Sequence, residues 1–154
     1  MTGTSNSNVT AMNHDLTTSD LDYAFPDVEP GTKPYGSRVL VQLRTPRVRT
    51  AGGIYIPEEA RETELWNTQV AKVIDLGPVA FKNRDTLAPW PEGDWCQPGT
   101  YVRIAKYGGD RWRVPVAEAN TPDERPEFAL FILFNDLDII GEITISPLDI
   151  MAYL

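Results

Sequence analysis

Residues 38–44 have the sequence RVLVQLR, in which Val39, Val41 and Leu43 alternate with Leu40 and Gln42. Successive side chains of a β-strand point to opposite faces of the sheet, so this period of two predicts a strand. The face that carries the three odd-numbered residues is wholly apolar. The segment therefore predicts a half-buried strand that supplies one wall of a hydrophobic core.

Further strand candidates follow along the chain. They lie at residues 69–76, 101–106, 111–116, 128–134 and 142–145. Glycine and proline pairs at positions 77–78, 98–99 and 108–109 separate them as turns. No long stretch has a convincing helical period. We therefore predict an all-β fold, a small β-barrel with two long loops and an extended N-terminal arm.

The composition excludes several classes of function. The 154 residues carry 14 Lys and Arg against 22 Asp and Glu, a formal net charge of −8, so we expect no nucleic-acid partner. The single Cys96 and the single His14 cannot build a disulfide framework or a Cys/His zinc site. We predict no catalytic residues, because paired acids such as Glu58 and Glu59 have no second catalytic group with them. We also predict no metal and no cofactor, because the aspartates do not reproduce an ion-binding loop and the glycine pairs lack the setting of a phosphate-binding loop. No stretch approaches the ~20 apolar residues of a membrane span, so we expect a cytoplasmic protein without a membrane partner.

The distribution of charge and polarity divides the chain into parts. The predicted parts are a flexible acidic N-terminal arm at residues 1–30, a β-barrel at residues 31–146 and a C-terminal extension at residues 147–154. The arm carries five acidic residues and neither Lys nor Arg. Within it, Leu21, Tyr23 and Phe25 form an apolar cluster that is a candidate for docking as a strand on a neighbouring surface.

Two segments between predicted strands are too long for simple turns. Residues 45–67 and 79–97 each exceed the ~12–15 residues beyond which a connection is usually functional or disordered. The first contains a loop motif made of Gly52, Gly53, Ile54, Tyr55 and Ile56. An apolar triplet (residues 54–56) behind a flexible glycine pair is typical of an anchor for a partner's groove. A short buried strand is the alternative.

Three arginines, Arg44, Arg47 and Arg49, precede the loop motif. One interpretation is a solvated strand end. The other is a set of rim charges that meets an acidic surface of a partner and changes the association rate more than the final affinity.

The order of these segments resembles the GroES-type co-chaperonins. The resemblance covers residues 33–141, and its most specific piece is the AGGIYI segment at residues 51–56. It implies a GroES-like β-barrel that forms an oligomeric ring, binds a GroEL-like chaperonin and caps its folding cavity. Carried over residue by residue, it implies that residues 54–56 insert into the chaperonin, with Gly52 and Gly53 as the flexible entry. Residues 79–97 then stand where the family has its roof hairpin.

Departures from the family pattern suggest a second possibility. Tyr55 replaces a small aliphatic residue, residues 79–97 are rich in Trp and Pro, and both terminal extensions lie outside the common family. Such divergence is more typical of a bacteriophage-encoded relative that acts in the host cytoplasm. The alternative function is then that of a virion protein that decorates or cements a capsid, with the major capsid protein as its partner.

We also predict that the chain forms a homo-oligomer. A single small barrel exposes edge strands, which natural proteins cover or pair. We expect pairing between subunits through the strand at residues 39–43 and the apolar run at residues 139–145.

Overall fold

The computed structural model describes residues 20–47, 52–116 and 125–151. A helical turn at residues 20–24 precedes the first strand. The elements that follow are β1 (Arg38–Leu43), α1 (Glu58–Asn67), β2 (Val70–Leu76), β3 (Tyr101–Ile104), β4 (Asp110–Pro115), β5 (Phe128–Asn135), a 3-10 turn (Asp136–Asp138) and β6 (Ile139–Glu142).

These six strands form one antiparallel sheet in the order β4-β5-β1-β2-β3-β6. Strand β1 lies inside the sheet, where Val41 is opposite Val73 of β2 and Ile132 of β5. The all-β fold class predicted from the sequence is confirmed. Closure of the sheet into a barrel stays a prediction.

The prediction that residues 39–43 form an exposed edge strand is wrong. Their backbone groups face β2 on one side and β5 on the other. At the C-terminal end, β6 does lie at an edge of the sheet, beside β3. It begins at Ile139, three residues before the strand predicted at 142–145.

The alternation in β1 builds the main core. Val39, Val41 and Leu43 are buried on one face of the sheet, together with Val73 of β2 and Ile132 of β5. Each fully buried side chain of this size contributes about 1.5–3 kcal/mol of hydrophobic stabilisation. The period of two in residues 38–44 therefore locates the core.

The second face of β1 is covered by the segment of this chain that precedes the strand. The Gln42 side chain donates from Nε2 to the carbonyl of Pro26 at 2.9 Å. The Trp112 indole of β4 donates from Nε1 to the carbonyl of Pro30 at 2.7 Å. Leu40 is buried in the cluster on this face. Strand β1 is thus buried on both faces, whereas its sequence predicted a half-buried strand.

The Trp-rich connection, residues 79–97, packs into the main core. Phe81 is fully buried, and its ring centroid lies 5.5 Å from that of Trp90 and 5.8 Å from that of Trp95. The Phe81 N–H donates to Oδ2 of the buried Asp136 at 3.0 Å. A hydrogen bond and three aromatic rings therefore hold this long connection against the sheet.

Gly77, at the end of β2, marks a close approach between backbones. A Cβ atom at this position would lie 2.2 Å from the carbonyl oxygen of Gly36. The Gly77 N–H donates to the Arg38 carbonyl at 2.8 Å. Only glycine fits here, because any side chain would push the two segments apart.

Candidate functional site

The loop motif lies in the connection between β1 and β2. Its side chains point largely into solvent: Ile54 is 70% exposed, Tyr55 is 56% exposed and Ile56 is partly buried. Gly53 adopts a φ of 83°, a left-handed conformation that favours glycine. A short buried strand, the alternative interpretation of this segment, would place these side chains inside the protein. Contact of the five motif residues with a partner stays a prediction.

Helix α1 follows the motif directly, and no helix was expected in residues 45–67. Glu58 and Glu59 occupy its first turn, where carboxylates interact favourably with the helix dipole. Leu65 packs against the main core, so the C-terminal half of α1 is attached to the sheet. The helix has only a weak apolar face, which is why the periodicity of residues 58–67 did not predict it.

Arg61 of α1 reaches back to the motif through three contacts. Its Nη2 donates to the Tyr55 hydroxyl at 3.2 Å, and its Nε donates to the Ile56 carbonyl at 3.2 Å. Its guanidinium carbon lies 5.6 Å from the centroid of the Tyr55 ring. We call this arrangement of Arg61 on residues 55–56 the arginine clasp. Sequence reasoning missed Arg61, because an isolated arginine in a charged run carries no local signal.

Arg44 lies at the start of the same connection and is only 7% exposed. Its Nη1 donates to the carbonyls of Pro147 at 2.7 Å and Ile150 at 2.5 Å, and its Nη2 lies 3.9 Å from Glu64 Oε1. Burial lowers the pKa of the Arg44 guanidinium, an effect that Glu64 opposes. Arg44 therefore ties the connection to the C-terminal segment and to α1.

The other two arginines have different positions. Arg47 forms an ion pair with Asp20, and its guanidinium lies 5.1 Å from the Tyr23 ring centroid. Arg49 lies outside the described residues. The rim-charge function of the three arginines stays a prediction, and in this structure the contacts of Arg44 and Arg47 are made within the chain.

The apolar cluster of the N-terminal arm also packs on its own chain. Tyr23 and Phe25 are buried and Leu21 is partly buried. The Phe25 ring lies 5.2 Å from that of Tyr101, in a small cluster that also includes Leu148. Residues 20–24 are helical, whereas a docked strand was expected. Docking on a neighbouring subunit stays a prediction, as does the division at residues 30 and 146.

The described residues include one cysteine, Cys96. Cys96 is buried, and this burial, with smaller contributions from Asp94 and Glu142, raises the pKa of its thiol to about 11. Such a thiol is a poor nucleophile at neutral pH.

Within residues 20–47, 52–116 and 125–151, no group of three Cys, His, Asp or Glu side chains has the arrangement of a metal site. In these same ranges, no helix has the length and apolar character needed to cross a membrane.

Comparison with known families identifies this architecture. The family described as Chaperonin 10 Kd subunit matches residues 31–114, which run from the segment before β1 into β4. This chain belongs to that family. The match includes the whole β1–β2 connection with its loop motif and α1, while β5 and β6 lie beyond it.

Two relatives extend the family comparison. The co-chaperonin GroES of Methylacidiphilum infernorum (isolate V4) is 36% identical over 87 residues, which cover 56% of this chain and 80% of the relative. The co-chaperonin GroES of Corynebacterium jeikeium (strain K411) is 36% identical over 77 residues, which cover 50% of this chain and 70% of the relative. The resemblance inferred from the sequence motifs is therefore confirmed at the level of the GroES-type family. The expected bacteriophage origin stays a prediction.

Proposed function

We propose that this protein is a co-chaperonin subunit that binds a GroEL-type chaperonin through residues 52–56 and caps its folding cavity as part of a ring. The observation that carries the proposal is the pair of exposed apolar side chains, Ile54 and Tyr55, on a glycine-hinged connection of a Chaperonin 10 Kd subunit family member. Membership in this family and the names of the two relatives support a binding function and not an enzymatic one.

The energetics of the motif are compatible with a weak site that is repeated. Full burial of a large apolar side chain contributes about 1.5–3 kcal/mol before the cost of ordering the loop. A ring presents several copies of the loop at once, so avidity raises the overall affinity well above that of one loop. A single subunit is expected to bind poorly.

The edge strand β6 supports assembly into such a ring. It is an edge strand in the sheet order, and Ile140 on it is 60% exposed. An edge that carries an exposed apolar side chain is a natural site for pairing with another strand. We propose that β6 takes part in the contact between subunits. A cytoplasmic location stays a prediction that accompanies this function.

Ile54→Asp tests the proposed binding function. A charge at an exposed anchor cannot enter an apolar groove without a large desolvation cost, so co-sedimentation with a purified GroEL-type chaperonin and nucleotide is expected to be lost. The melting temperature and the oligomeric state are expected to remain those of the wild type. Leu137→Asp is the matched control, because Leu137 is also 70% exposed but lies in the 3-10 turn after β5.

Two results would contradict the proposal. One is a wild-type protein that fails to bind the chaperonin at any nucleotide state. The other is an Ile54→Asp variant that unfolds or fails to assemble, since residues 54–56 would then be a packed segment. The alternative function as a virion protein has no support from the relatives. Binding of the wild-type protein to capsids and not to the chaperonin would favour that alternative.

A further inference from the structure

The arginine clasp joins the loop motif to a rigid part of the molecule. One guanidinium contacts the Tyr55 ring, the Tyr55 hydroxyl and the Ile56 carbonyl. Arginine suits this arrangement because its planar fork donates in several fixed directions while its face stacks on an aromatic ring. Side chain and backbone of the motif are therefore held by the same residue.

Helix α1 is itself anchored to the sheet. Leu65 packs against the main core, and Glu64 pairs with the buried Arg44. The Arg61 backbone N–H donates to the Pro57 carbonyl at 3.1 Å, so the helix begins directly after the motif. The position of the guanidinium is thus determined by the fold of the protein and not by the loop alone.

The clasp leaves the apolar atoms of the motif accessible. Arg61 lies against the ring of Tyr55, yet more than half of the Tyr55 side chain and 70% of Ile54 remain exposed. An autoinhibitory contact would bury these groups. The geometry is that of a support, which restricts the conformation of residues 55–56 while it presents Ile54 and Tyr55 to solvent.

We infer that Arg61 is a positioning residue that preorganises residues 54–56 for the chaperonin. This inference rests on the proposed co-chaperonin function. When a residue of a free loop becomes ordered on binding, the entropy cost lowers the affinity by about fivefold to thirtyfold. A clasp that orders such a residue before binding is expected to raise the affinity for the chaperonin by a factor of this size. Arg61 also favours a partner whose groove accepts an aromatic residue, because the clasp fixes the orientation of the Tyr55 ring.

The experiment compares Arg61→Ala and Arg61→Lys with the wild type. Alanine is the best helix former, so Arg61→Ala removes the clasp without weakening α1 through helix propensity. Lysine keeps the charge, but its single ammonium group cannot reproduce the planar fork. Arg103→Ala, on an exposed position of β3, is the control for loss of an arginine elsewhere.

Two quantities are measured on the intact oligomer. The first is the rate at which chymotrypsin cleaves after Tyr55, identified by fragment mass. The second is the affinity for a purified GroEL-type chaperonin with nucleotide. Arg61→Ala is expected to speed the cleavage by about tenfold and to weaken binding by at least about fivefold, with an intermediate effect of Arg61→Lys. Arg103→Ala is expected to have the cleavage rate and the affinity of the wild type. All three variants are expected to have the melting temperature of the wild type.

The outcomes separate this inference from the proposed function. If the wild type binds and Arg61→Ala binds equally well or more tightly, the positioning function of Arg61 is overturned and the co-chaperonin function stands. If cleavage after Tyr55 is unchanged in Arg61→Ala, the clasp does not restrain the motif and the inference also fails. If the wild type does not bind the chaperonin, the proposed function falls, and the affinity effect inferred for Arg61 falls with it.

Discussion

The two long connections of this protein, residues 45–67 and 79–97, place Tyr55 and Phe81, respectively, in opposite environments. Both contain aromatic and apolar residues, and neither contains a predicted strand. In the first, Tyr55 is 56% exposed, whereas in the second, Phe81 is fully buried against two tryptophans. Apolar residues in a long loop are therefore available to a partner only where they stay exposed, and composition does not distinguish the two cases.

The attachment of each connection explains the difference. The Trp-rich connection is held near its beginning by the Phe81 to Asp136 hydrogen bond and along its length by aromatic contacts. The first connection is attached at its two ends, through the buried Arg44 and through Leu65 of α1. Between these attachments, the loop motif contacts α1 through Arg61. One connection completes the core, and the other presents a segment outward.

The largest expected effect comes from removing the central ring of the Trp-rich connection. Phe81→Ala leaves a cavity beside Trp90 and Trp95, and we expect it to lower the free energy of unfolding by about 3–5 kcal/mol. Ile54→Ala is the matched substitution in the first connection and should change stability by less than about 0.5 kcal/mol. Urea unfolding monitored by tryptophan fluorescence measures both. If the two substitutions lowered the free energy of unfolding equally, Ile54 would contribute as much to the packed interior as Phe81, and the difference between the two connections would not hold.

A smaller effect is expected from the carboxylate that holds the Trp-rich connection. Asp136 accepts from the Phe81 N–H through Oδ2 and from the Leu137 N–H through Oδ1. Asp136→Asn keeps one acceptor and leaves a buried donor unpaired, which should cost about 1–3 kcal/mol. Asp138→Asn in the same turn serves as the control. A stability loss as large in Asp138→Asn would mean that the effect belongs to the turn and not to the hydrogen bond with Phe81.

The smallest effect expected in the Trp-rich connection is the pH-dependent contribution of Cys96 to the free energy of unfolding. Burial, with Asp94 and Glu142, raises the pKa of Cys96 from 9.0 to about 11. As pH rises, the Cys96 thiol of the unfolded chain therefore ionises before that of the folded protein, which favours unfolding. The contribution of the Cys96 thiol to the free energy of unfolding is complete below pH 9 and is lost as pH rises through 11. We expect this decline to be about 1–2 kcal/mol smaller in Cys96→Ala than in the wild type. If the free energy of unfolding of the two proteins changed identically between pH 9 and 11, Cys96 would ionise as easily in the folded state as in the unfolded state.

Much of the fold was predictable because the signals are local. The alternation in residues 38–44 predicted β1 and the residues that it contributes to the main core. Turn residues predicted where strands end, and the close approach at Gly77 agrees with the turn expected there. The loop motif was recognisable from its composition and its place between two strands. None of these inferences required knowledge of which strands are neighbours.

Other features could not be predicted from local patterns. Helix α1 has a weak apolar face, so its stability depends on Leu65 meeting the core and Glu64 meeting Arg44. The edge position was misassigned to β1, because strand order depends on pairing between residues far apart in the sequence. Arg61 became visible as a functional candidate only when the structure placed its guanidinium beside Tyr55.

Local sequence patterns were sufficient for the all-β class, the position of β1 and the place of the loop motif, because period, turn chemistry and composition act over a few neighbouring residues. Which apolar residues are covered depends on long-range contacts in the folded chain. Val28 packs in the cluster that contains Leu40, and carbonyls of the C-terminal segment accept hydrogen bonds from Arg44, so both sets of contacts join distant parts of the chain. The exposure of Ile54 and the burial of Phe81 have the same origin, since the free energy of an apolar side chain depends on what lies around it and not on its neighbours in sequence.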